Sequence, residues 1–199
     1  MNNFINSDEL GQKLDLANYY WAKSLFTDEE VKKIKEAGDS LDSESATTFG
    51  GNEDDEVRRG TVAWLARSVE NQWIYEKLFS IIKEANDNVW NFELVGFLED
   101  AQYATYVGGG ENGDRYDYHL DLDGSYGVQR KISAVVQLTD EEEYEGGELQ
   151  LLSRHEPAIA SKLKGSITIF PSYMLHRVTP VTQGKRNSLV LWVSGYPFK

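Results

Sequence analysis

The sequence predicts a mixed, mainly β fold, in which a jelly-roll core is buttressed by N-terminal helices. In the first half of the chain, two segments place apolar residues at intervals of three and four, which is helical spacing. From residue 92 onward, short runs of strand-forming residues are separated by glycines and acidic turns. The predicted strands in this half are 102–107, 116–121, 131–138, 148–152, 166–170, 176–181 and 188–194. Many short strands after a helical start favour a jelly roll.

The first predicted helix begins at Thr27, because Glu30 follows it at the spacing of a capping box. Gly38 is its predicted stop. A second helix is predicted from Glu70 to Trp90, along an apolar stripe formed by Trp73, Ile74, Leu78, Ile81, Ile82, Ala85 and Val89. Other predicted segments of this half are a short strand or packing element at 19–21, a loop at 41–57 and a strand at 58–65.

Length and composition predict one domain over residues 1–199, with helical support over about 1–91 and the jelly-roll core over about 92–199. The absence of cysteine excludes disulfides and thiolate metal sites. A formal net charge of −13 opposes the field of a nucleic-acid backbone. The N-terminus has no basic start or apolar run, and no stretch has the length of a membrane span. We therefore expect a cytoplasmic protein that binds neither nucleic acid nor membrane.

Candidate metal ligands lie in the predicted strand 116–121. Residues two apart in a strand point to the same face, so His119 and Asp121 are expected to project into the same space. His176, from another predicted strand, adds a second imidazole. Two imidazoles and one carboxylate on one side of an ion leave its other coordination positions open.

Other residues bear on this site. Asp123 shares the strand parity of Asp121 and is the rival carboxylate. A predicted turn at 182–185 would return the strand that carries His176 antiparallel to itself and place Arg186 near the ion. His155 has no partner pattern and is predicted to lie in a loop. Each histidine taken singly is better explained as an ordinary core residue, and Arg186 could serve only to balance the acidic surface. The joint spacing favours metal binding.

Taken together, His119-x-Asp121, His176 and Arg186 ten residues later resemble the iron(II)- and 2-oxoglutarate-dependent dioxygenases. Within them, the chain is most similar to the prolyl 4-hydroxylase branch, including its PKHD-type members. Further similar features are Gln102–Tyr106 before a glycine-rich loop, the turn Gly146–Leu149, the segment His176–Val181, and Trp192 six residues after Arg186. The resemblance extends from about Arg58 to Gly195 and is strongest after Gln102.

The resemblance implies a double-stranded β-helix in which His119, Asp121 and His176 bind iron. It also implies that Arg186 pairs with the distal carboxylate of 2-oxoglutarate through two parallel N–H donors. The other cosubstrate-binding residues that it implies are Tyr106, Tyr116, Leu149 and Trp192. Gln137 stands where some relatives carry a tyrosine that contacts the same carboxylate, so the chain departs from the pattern there. The implied cofactors are Fe(II), 2-oxoglutarate and O2, with ascorbate as a further candidate.

The resemblance implies hydroxylation, because relatives that halogenate lack the carboxylate found here at Asp121. It also implies that the substrate is a prolyl residue in a peptide or protein. The loops 43–56 and 108–115 are candidate lids. A free amino acid or small metabolite is the alternative substrate. Nucleic-acid demethylation is disfavoured, since that branch adds a second arginine where this chain has Trp192. A zinc hydrolase and a non-catalytic binding module are the other classes, and neither gives Arg186 a use. The sequence predicts no particular oligomeric state.

Overall fold

The computed structural model describes residues 19–48, 54, 56–125, 127–152 and 156–198. Strands hold 43% of these described residues and helices 20%, which confirms the predicted mixed, mainly β class. The helices are α1 (Asp28–Asp39) and α2 (Gln72–Ala85), the latter followed by a π-helical turn (Asn86–Trp90). A short 3-10 turn covers Gly110–Asn112.

The strands of the described residues fall in both halves of the chain. In order they are β1 (Tyr20–Ala22), β2 (Glu44–Ser45), β3 (Arg58–Arg59), β4 (Thr61–Leu65), β5 (Leu94–Gly96), β6 (Ala101–Val107), β7 (Arg115–His119), β8 (Gly124–Ser125), β9 (Val128–Gln137), β10 (Tyr144–Gly146), β11 (Leu149–Leu152), β12 (Pro157–Ile159), β13 (Ile167–Pro171), β14 (Leu175–Val178) and β15 (Val181–Gly195). Four of these strands lie before residue 92, so this half of the chain supplies strands to both sheets as well as the two α-helices.

Two antiparallel sheets face each other. The large sheet has the order β1-β13-β9-β15-β6-β4-β2, with β10 and β5 also paired to β15 and β8 to β9. The small sheet has the order β12-β11-β14-β7-β3. Side chains from the two sheets meet in one apolar cluster, in which Val135 and Phe170 of the large sheet pack with Leu149 and Leu151 of the small sheet.

Alternation along the strands separates the two faces of the large sheet. In β15, Leu189, Leu191 and Val193 belong to the main apolar cluster, which also holds Ile34 of α1 and Leu78 of α2. The even-numbered residues of the same strand, at 186, 188, 190 and 192, point the other way and line a cleft on the opposite face. The helices therefore cover one face of the large sheet, and the other face is left for a site between the sheets.

The predicted strand 58–65 is divided at Gly60, whose φ of +143° suits glycine. On one side of it, β3 pairs with β7 in the small sheet, and on the other side β4 pairs with β6 in the large sheet. The chain therefore crosses between the two sheets at this glycine.

Helix α1 begins as predicted. The Thr27 side chain accepts a hydrogen bond from the Glu30 backbone N–H, and the Glu30 side chain accepts one from the backbone of Thr27. Gly38 does not end the helix but lies in its last turn. A Cβ at Gly38 would lie 2.5 Å from the ring of Tyr103, so the glycine permits close packing of the helix on the sheet.

Replacing Thr27 with alanine is expected to lower the free energy of unfolding by about 1 kcal/mol, because the cap acceptor is lost. Urea denaturation measures this difference. Thr27→Ser keeps the acceptor oxygen and should remain within a few tenths of a kcal/mol of the parent protein. Equal losses in both variants would show that the threonine methyl group, and not the cap, is responsible.

Candidate active site

Three metal-binding side chains converge between the sheets. The candidate ligand atoms of His119, Asp121 and His176 all lie within 4.8 Å of one another. His119 Nε2 is 3.6 Å from Asp121 Oδ1, and His176 Nε2 is 3.4 Å from Asp121 Oδ2. His119 ends β7 and is paired in register with His176 of β14. Two imidazoles and one carboxylate that converge in this way could bind a divalent metal ion from one side and leave its other coordination positions open.

Asp121 reaches this group by a different route from the predicted one. Strand β7 ends at His119, so Asp121 lies in the following loop and does not share a strand face with it. Its backbone N–H donates to the Ser172 carbonyl at 2.9 Å. The Ser133 hydroxyl donates to Asp121 Oδ2 at 2.7 Å. Contacts with two distant residues, and not strand alternation, place the carboxylate.

The structure also separates Asp121 from its rival. Asp123 is exposed, and within the described residues it is not a member of the metal-binding group. Its carboxylate accepts a hydrogen bond from the backbone N–H of Gly124 at 2.7 Å. His155, predicted to lie in a loop, falls outside the described residues.

Backbone carbonyls orient both imidazoles. His119 Nδ1 lies 2.7 Å from the Asp117 carbonyl, and His176 Nδ1 lies 2.9 Å from the Met174 carbonyl. A carbonyl oxygen can only accept, so Nδ1 carries the proton in each ring and the Nε2 lone pair faces the Asp121 carboxylate. This arrangement is usual for metal-binding histidines.

The protonation states also suit a metal. Burial and the nearby His176 lower the pKa of His119 to about 3. Burial alone would raise the pKa of Asp121, but the two histidines and the Ser133 hydroxyl hold it below its usual value. At neutral pH the site therefore offers a neutral imidazole at His119 and an ionised carboxylate at Asp121, the forms that bind metals.

The lowered pKa of His119 predicts acid sensitivity of the metal-free protein. Between an unfolded value of 6.5 and a folded value of about 3, the unfolded chain binds one more proton than the native state at this residue. Stability should therefore fall as the pH drops below 6.5, with a slope that approaches about 1.4 kcal/mol per pH unit from this group.

Unfolding measured by urea between pH 7 and pH 5, with a chelator present, tests this. His119→Gln removes the titrating group. The free energy of unfolding of this variant should therefore fall less steeply with decreasing pH, by up to about 1.4 kcal/mol per pH unit at the acid end of the interval. Identical slopes for the two proteins would mean that His119 is not a buried neutral imidazole in the native state.

A cleft extends from the three metal-binding residues into the space between the sheets. It contains about 440 Å³ of free space, part of which is open to solvent. All the predicted site residues line it, namely Tyr106, Tyr116, His119, Asp121, Leu149, His176, Arg186 and Trp192. The structure thus brings the predicted residues together, while their individual roles stay predictions.

Arg186 lies in this cleft with its side chain completely buried, at 0% exposure. Nη1 donates to the Ser188 hydroxyl at 3.4 Å, and the guanidinium carbon is 5.4 Å from the centre of the Tyr106 ring. Among the described residues, Nε and Nη2 have no hydrogen-bond partner. A buried charge with unmet donors is costly. An anionic group with two oxygens would meet this need, which fits a carboxylate ligand.

Arg186 does not arrive through the turn that the sequence predicted. Residues 182–185 lie inside β15, and the chain passes from β14 to β15 through Thr179 and Pro180. The prediction was wrong because the two strands are not a hairpin: β14 belongs to the small sheet and β15 to the large sheet. Arg186 therefore enters the cleft from the large sheet, whereas His119 and His176 enter it from the small sheet.

Sequence reasoning missed the site role of Arg58. Its Nη1 donates to the Thr47 carbonyl at 2.6 Å and its Nη2 to Gln102 Oε1 at 2.9 Å, so it joins the small sheet to β6 and to the preceding loop. Its guanidinium lies 4.3 Å from the centre of the Tyr116 ring, which stacks on His119 at 3.4 Å. The only signal in the sequence was a pair of arginines at the start of a predicted strand. Two arginines on a solvent-exposed face would give the same pattern.

Comparison with known proteins agrees with this geometry. Residues 101–194 match the family model described as the 2OG-Fe(II) oxygenase superfamily. A PKHD-type hydroxylase of Shewanella oneidensis is 36% identical over 89 residues, which cover 42% of this chain and 39% of that protein. A PKHD-type hydroxylase of Synechococcus sp. (strain CC9311) is 34% identical over 110 residues, covering 54% of this chain and 50% of that protein. The chain thus spans from about two fifths to half the length of these relatives.

Solved structures share the fold. A prolyl hydroxylase from Trichoplax adhaerens, in complex with a hypoxia inducible factor peptide fragment, has a TM-score of 0.71 at 16% identity and covers 91% of this chain and 85% of its own. A prolyl-4-hydroxylase from Pseudomonas putida has a TM-score of 0.68 at 17% identity and covers 96% of this chain and 97% of its own. These likenesses confirm the predicted jelly-roll fold.

No helix within the described residues combines the length and the apolar character needed to cross a membrane. The superfamily implies Fe(II), 2-oxoglutarate and O2 as cofactors, and the convergence of two imidazoles with one carboxylate fits such a metal. The family match, the curated relatives and the shared fold confirm the resemblance seen in the sequence. Over residues 101–194 the chain is similar to the 2OG-Fe(II) oxygenase superfamily, and the relatives and structural neighbours that it resembles are of the PKHD and prolyl 4-hydroxylase type.

Proposed function

We propose that the protein is an Fe(II)- and 2-oxoglutarate-dependent hydroxylase. The observation that carries this proposal is the completely buried Arg186, whose Nε and Nη2 have no partner among the described residues, in a cleft that also holds three metal-binding side chains. A zinc hydrolase would use His119, Asp121 and His176 but would leave this cation without an anion. The dicarboxylate 2-oxoglutarate gives both parts of the cleft a ligand.

The sequence of side chains along β15 supports a dicarboxylate. Trp192 is paired in register with Ser133, the residue that holds Asp121. Val190, two residues along the same face, is paired with Val135. Ser188 and Arg186 complete the row. The cleft therefore passes from a metal-binding end through an apolar middle to a cationic end, which matches a diacid whose carboxyl groups are separated by methylene carbons.

In this proposal, His119, Asp121 and His176 hold Fe(II), and Arg186 pairs with the distal carboxylate of 2-oxoglutarate. When bound, the metal and cosubstrate with O2 supply the oxidising chemistry that converts a C–H bond to C–OH. The Ser133 hydroxyl orients the Asp121 carboxylate. Tyr106, Tyr116, Leu149 and Trp192 shape the cosubstrate pocket, and Val135 and Val190 help to exclude water from it. Ascorbate is the proposed auxiliary reductant.

We propose a prolyl residue in a peptide or protein as the substrate. Support comes from relatives named PKHD-type hydroxylases and from a structural neighbour named as a prolyl hydroxylase with a bound peptide fragment. The net charge of −13 disfavours nucleic acid. The cytoplasmic location stays a prediction, as do the single domain over 1–199 and the lid roles of loops 43–56 and 108–115.

The test uses the purified chain with Fe(II), 2-oxoglutarate and ascorbate. Succinate formation should require both Fe(II) and 2-oxoglutarate, and mass spectrometry should show that proline-containing peptides or intact proteins gain one oxygen atom. Oxygen gain on free amino acids alone would select the small-molecule alternative. Ester or peptide hydrolysis with zinc, without consumption of 2-oxoglutarate, would reject the oxygenase proposal.

A further inference from the structure

Tyr144 carries a buried hydroxyl that the cleft residues considered so far leave unexplained. The residue is 3% exposed, and its hydroxyl makes no well-aligned hydrogen bond among the described residues, although the Arg186 guanidinium is close enough to interact with it. A buried phenol normally finds a partner, because leaving the hydroxyl unpaired costs free energy. Tyr144 belongs to β10, where it is paired in register with Gly184 of β15, two residues before Arg186.

Tyr144 and Arg186 approach each other over Gly147. A Cβ built on Gly147 would lie 2.9 Å from Arg186 Cδ and 3.1 Å from Tyr144 Cε2, so both side chains occupy the space that glycine leaves free. Burial raises the pKa of Tyr144, and the Arg186 guanidinium opposes that rise. The phenol therefore stays protonated and can donate a hydrogen bond at neutral pH.

Three donors are thus gathered without a well-aligned acceptor, namely the Tyr144 hydroxyl and the Nε and Nη2 groups of Arg186. Tyr144 packs in one apolar cluster with two residues that line the cleft, Tyr106 and Val178. Neighbouring donors without well-aligned acceptors can bind an anion together. A carboxylate has two oxygens and enough lone pairs to accept from both side chains.

We propose that the Tyr144 hydroxyl donates a second hydrogen bond to the distal carboxylate of 2-oxoglutarate, which it shares with Arg186. This inference rests on the proposed function and names a residue that selects a dicarboxylate cosubstrate. It supplies from β10 the contact that the sequence comparison left open when Gln137 replaced the tyrosine of some relatives.

Equilibrium binding tests this without turnover. The dissociation constants of 2-oxoglutarate and 2-oxopentanoate are measured by calorimetry on the Fe(II) protein under anaerobic conditions. In 2-oxopentanoate a methyl group replaces the distal carboxylate. Tyr144→Phe should weaken 2-oxoglutarate binding by about tenfold or more, the usual effect of losing a hydrogen bond to a charged group. Its affinity for 2-oxopentanoate should stay unchanged.

Tyr103→Phe is the matched control. Tyr103 is also a buried tyrosine, at 3% exposure, but its hydroxyl donates to Asp39 at 2.9 Å and it does not line the cleft. This variant should bind 2-oxoglutarate normally and unfold at a lower temperature, because a formed hydrogen bond is lost. Tyr144→Phe should lose less thermal stability than Tyr103→Phe, because the hydroxyl that it removes makes no well-aligned hydrogen bond in the ligand-free protein.

The outcomes separate this inference from the proposed function. If the parent protein binds no 2-oxoglutarate, the proposed function fails. If the parent binds it and Tyr144→Phe binds it equally well, only the role of Tyr144 fails. A metal-free Tyr144→Phe protein that loses as much thermal stability as Tyr103→Phe would also overturn the inference, because the hydroxyl would then have a structural partner as strong as that of Tyr103.

Discussion

Replacing Arg186 with methionine should prevent useful binding of 2-oxoglutarate and, at the same time, stabilise the ligand-free protein. The guanidinium is completely buried, and two of its nitrogens have no partner among the described residues. Removing one partner of a buried, hydrogen-bonded charge pair costs about 2–5 kcal/mol of binding free energy. The dissociation constant should therefore rise by about 30-fold to several thousandfold.

The stabilising effect has the same cause. Without an anion the buried cation is not compensated, and an apolar side chain of similar length removes its desolvation cost. Replacement of buried charges by well-packed apolar groups is often neutral or stabilising by about 1–4 kcal/mol. Urea denaturation of the metal-free and ligand-free proteins measures this effect. Lower stability of Arg186→Met would mean that the guanidinium is already paired in the free protein.

Arg130 provides a control for the sign of this change. Its Nε donates to Glu99 Oε2 at 2.7 Å and its Nη2 also contacts the Glu99 carboxylate, so this arginine is paired without any ligand. Arg130→Met should therefore lower the free energy of unfolding, because it leaves Glu99 without its partner. Opposite signs for the two arginines would distinguish a ligand-binding charge from a structural one.

Replacing Asp121 with alanine should reduce Fe(II) affinity by more than 100-fold, whereas Asp123→Ala should leave it unchanged. Loss of residues that only orient metal ligands typically costs 10- to 100-fold in affinity, so loss of a ligand should cost more. Asp121 lies between the two imidazoles, while Asp123 is exposed and, among the described residues, stands outside the metal-binding group. Anaerobic titration with Fe(II) measures both affinities.

Ser133→Ala gives an intermediate case. It removes the hydroxyl that donates to Asp121 at 2.7 Å but keeps all three candidate ligands. The expected loss of Fe(II) affinity is about 10- to 100-fold.

Loss of Fe(II) binding in Asp123→Ala together with normal binding in Asp121→Ala would reverse the assignment of the carboxylate.

Local patterns in the sequence were sufficient for the helices and for the class of the fold. The capping box at Thr27 and the apolar stripe of α2 depend on residues three and four apart, which are neighbours in any helix. Strand alternation likewise determines which residues of β15 face the cleft, because successive side chains of a strand point to opposite faces. The family resemblance then singled out the candidate site residues, and the structure brings them into one cleft.

The sequence by itself therefore determined the mixed, mainly β class and the identity of the candidate site residues. Only the tertiary structure decided how they meet. The Asp121 carboxylate is held by Ser133 and the Asp121 backbone by Ser172, residues far from it in the chain. Arg186 enters the cleft from the large sheet, whereas the two metal-binding histidines enter from the small sheet, and Tyr144 approaches Arg186 over Gly147. Local spacing cannot predict these arrangements, because which sheet a strand joins and which donor reaches a buried acceptor depend on pairing between distant segments.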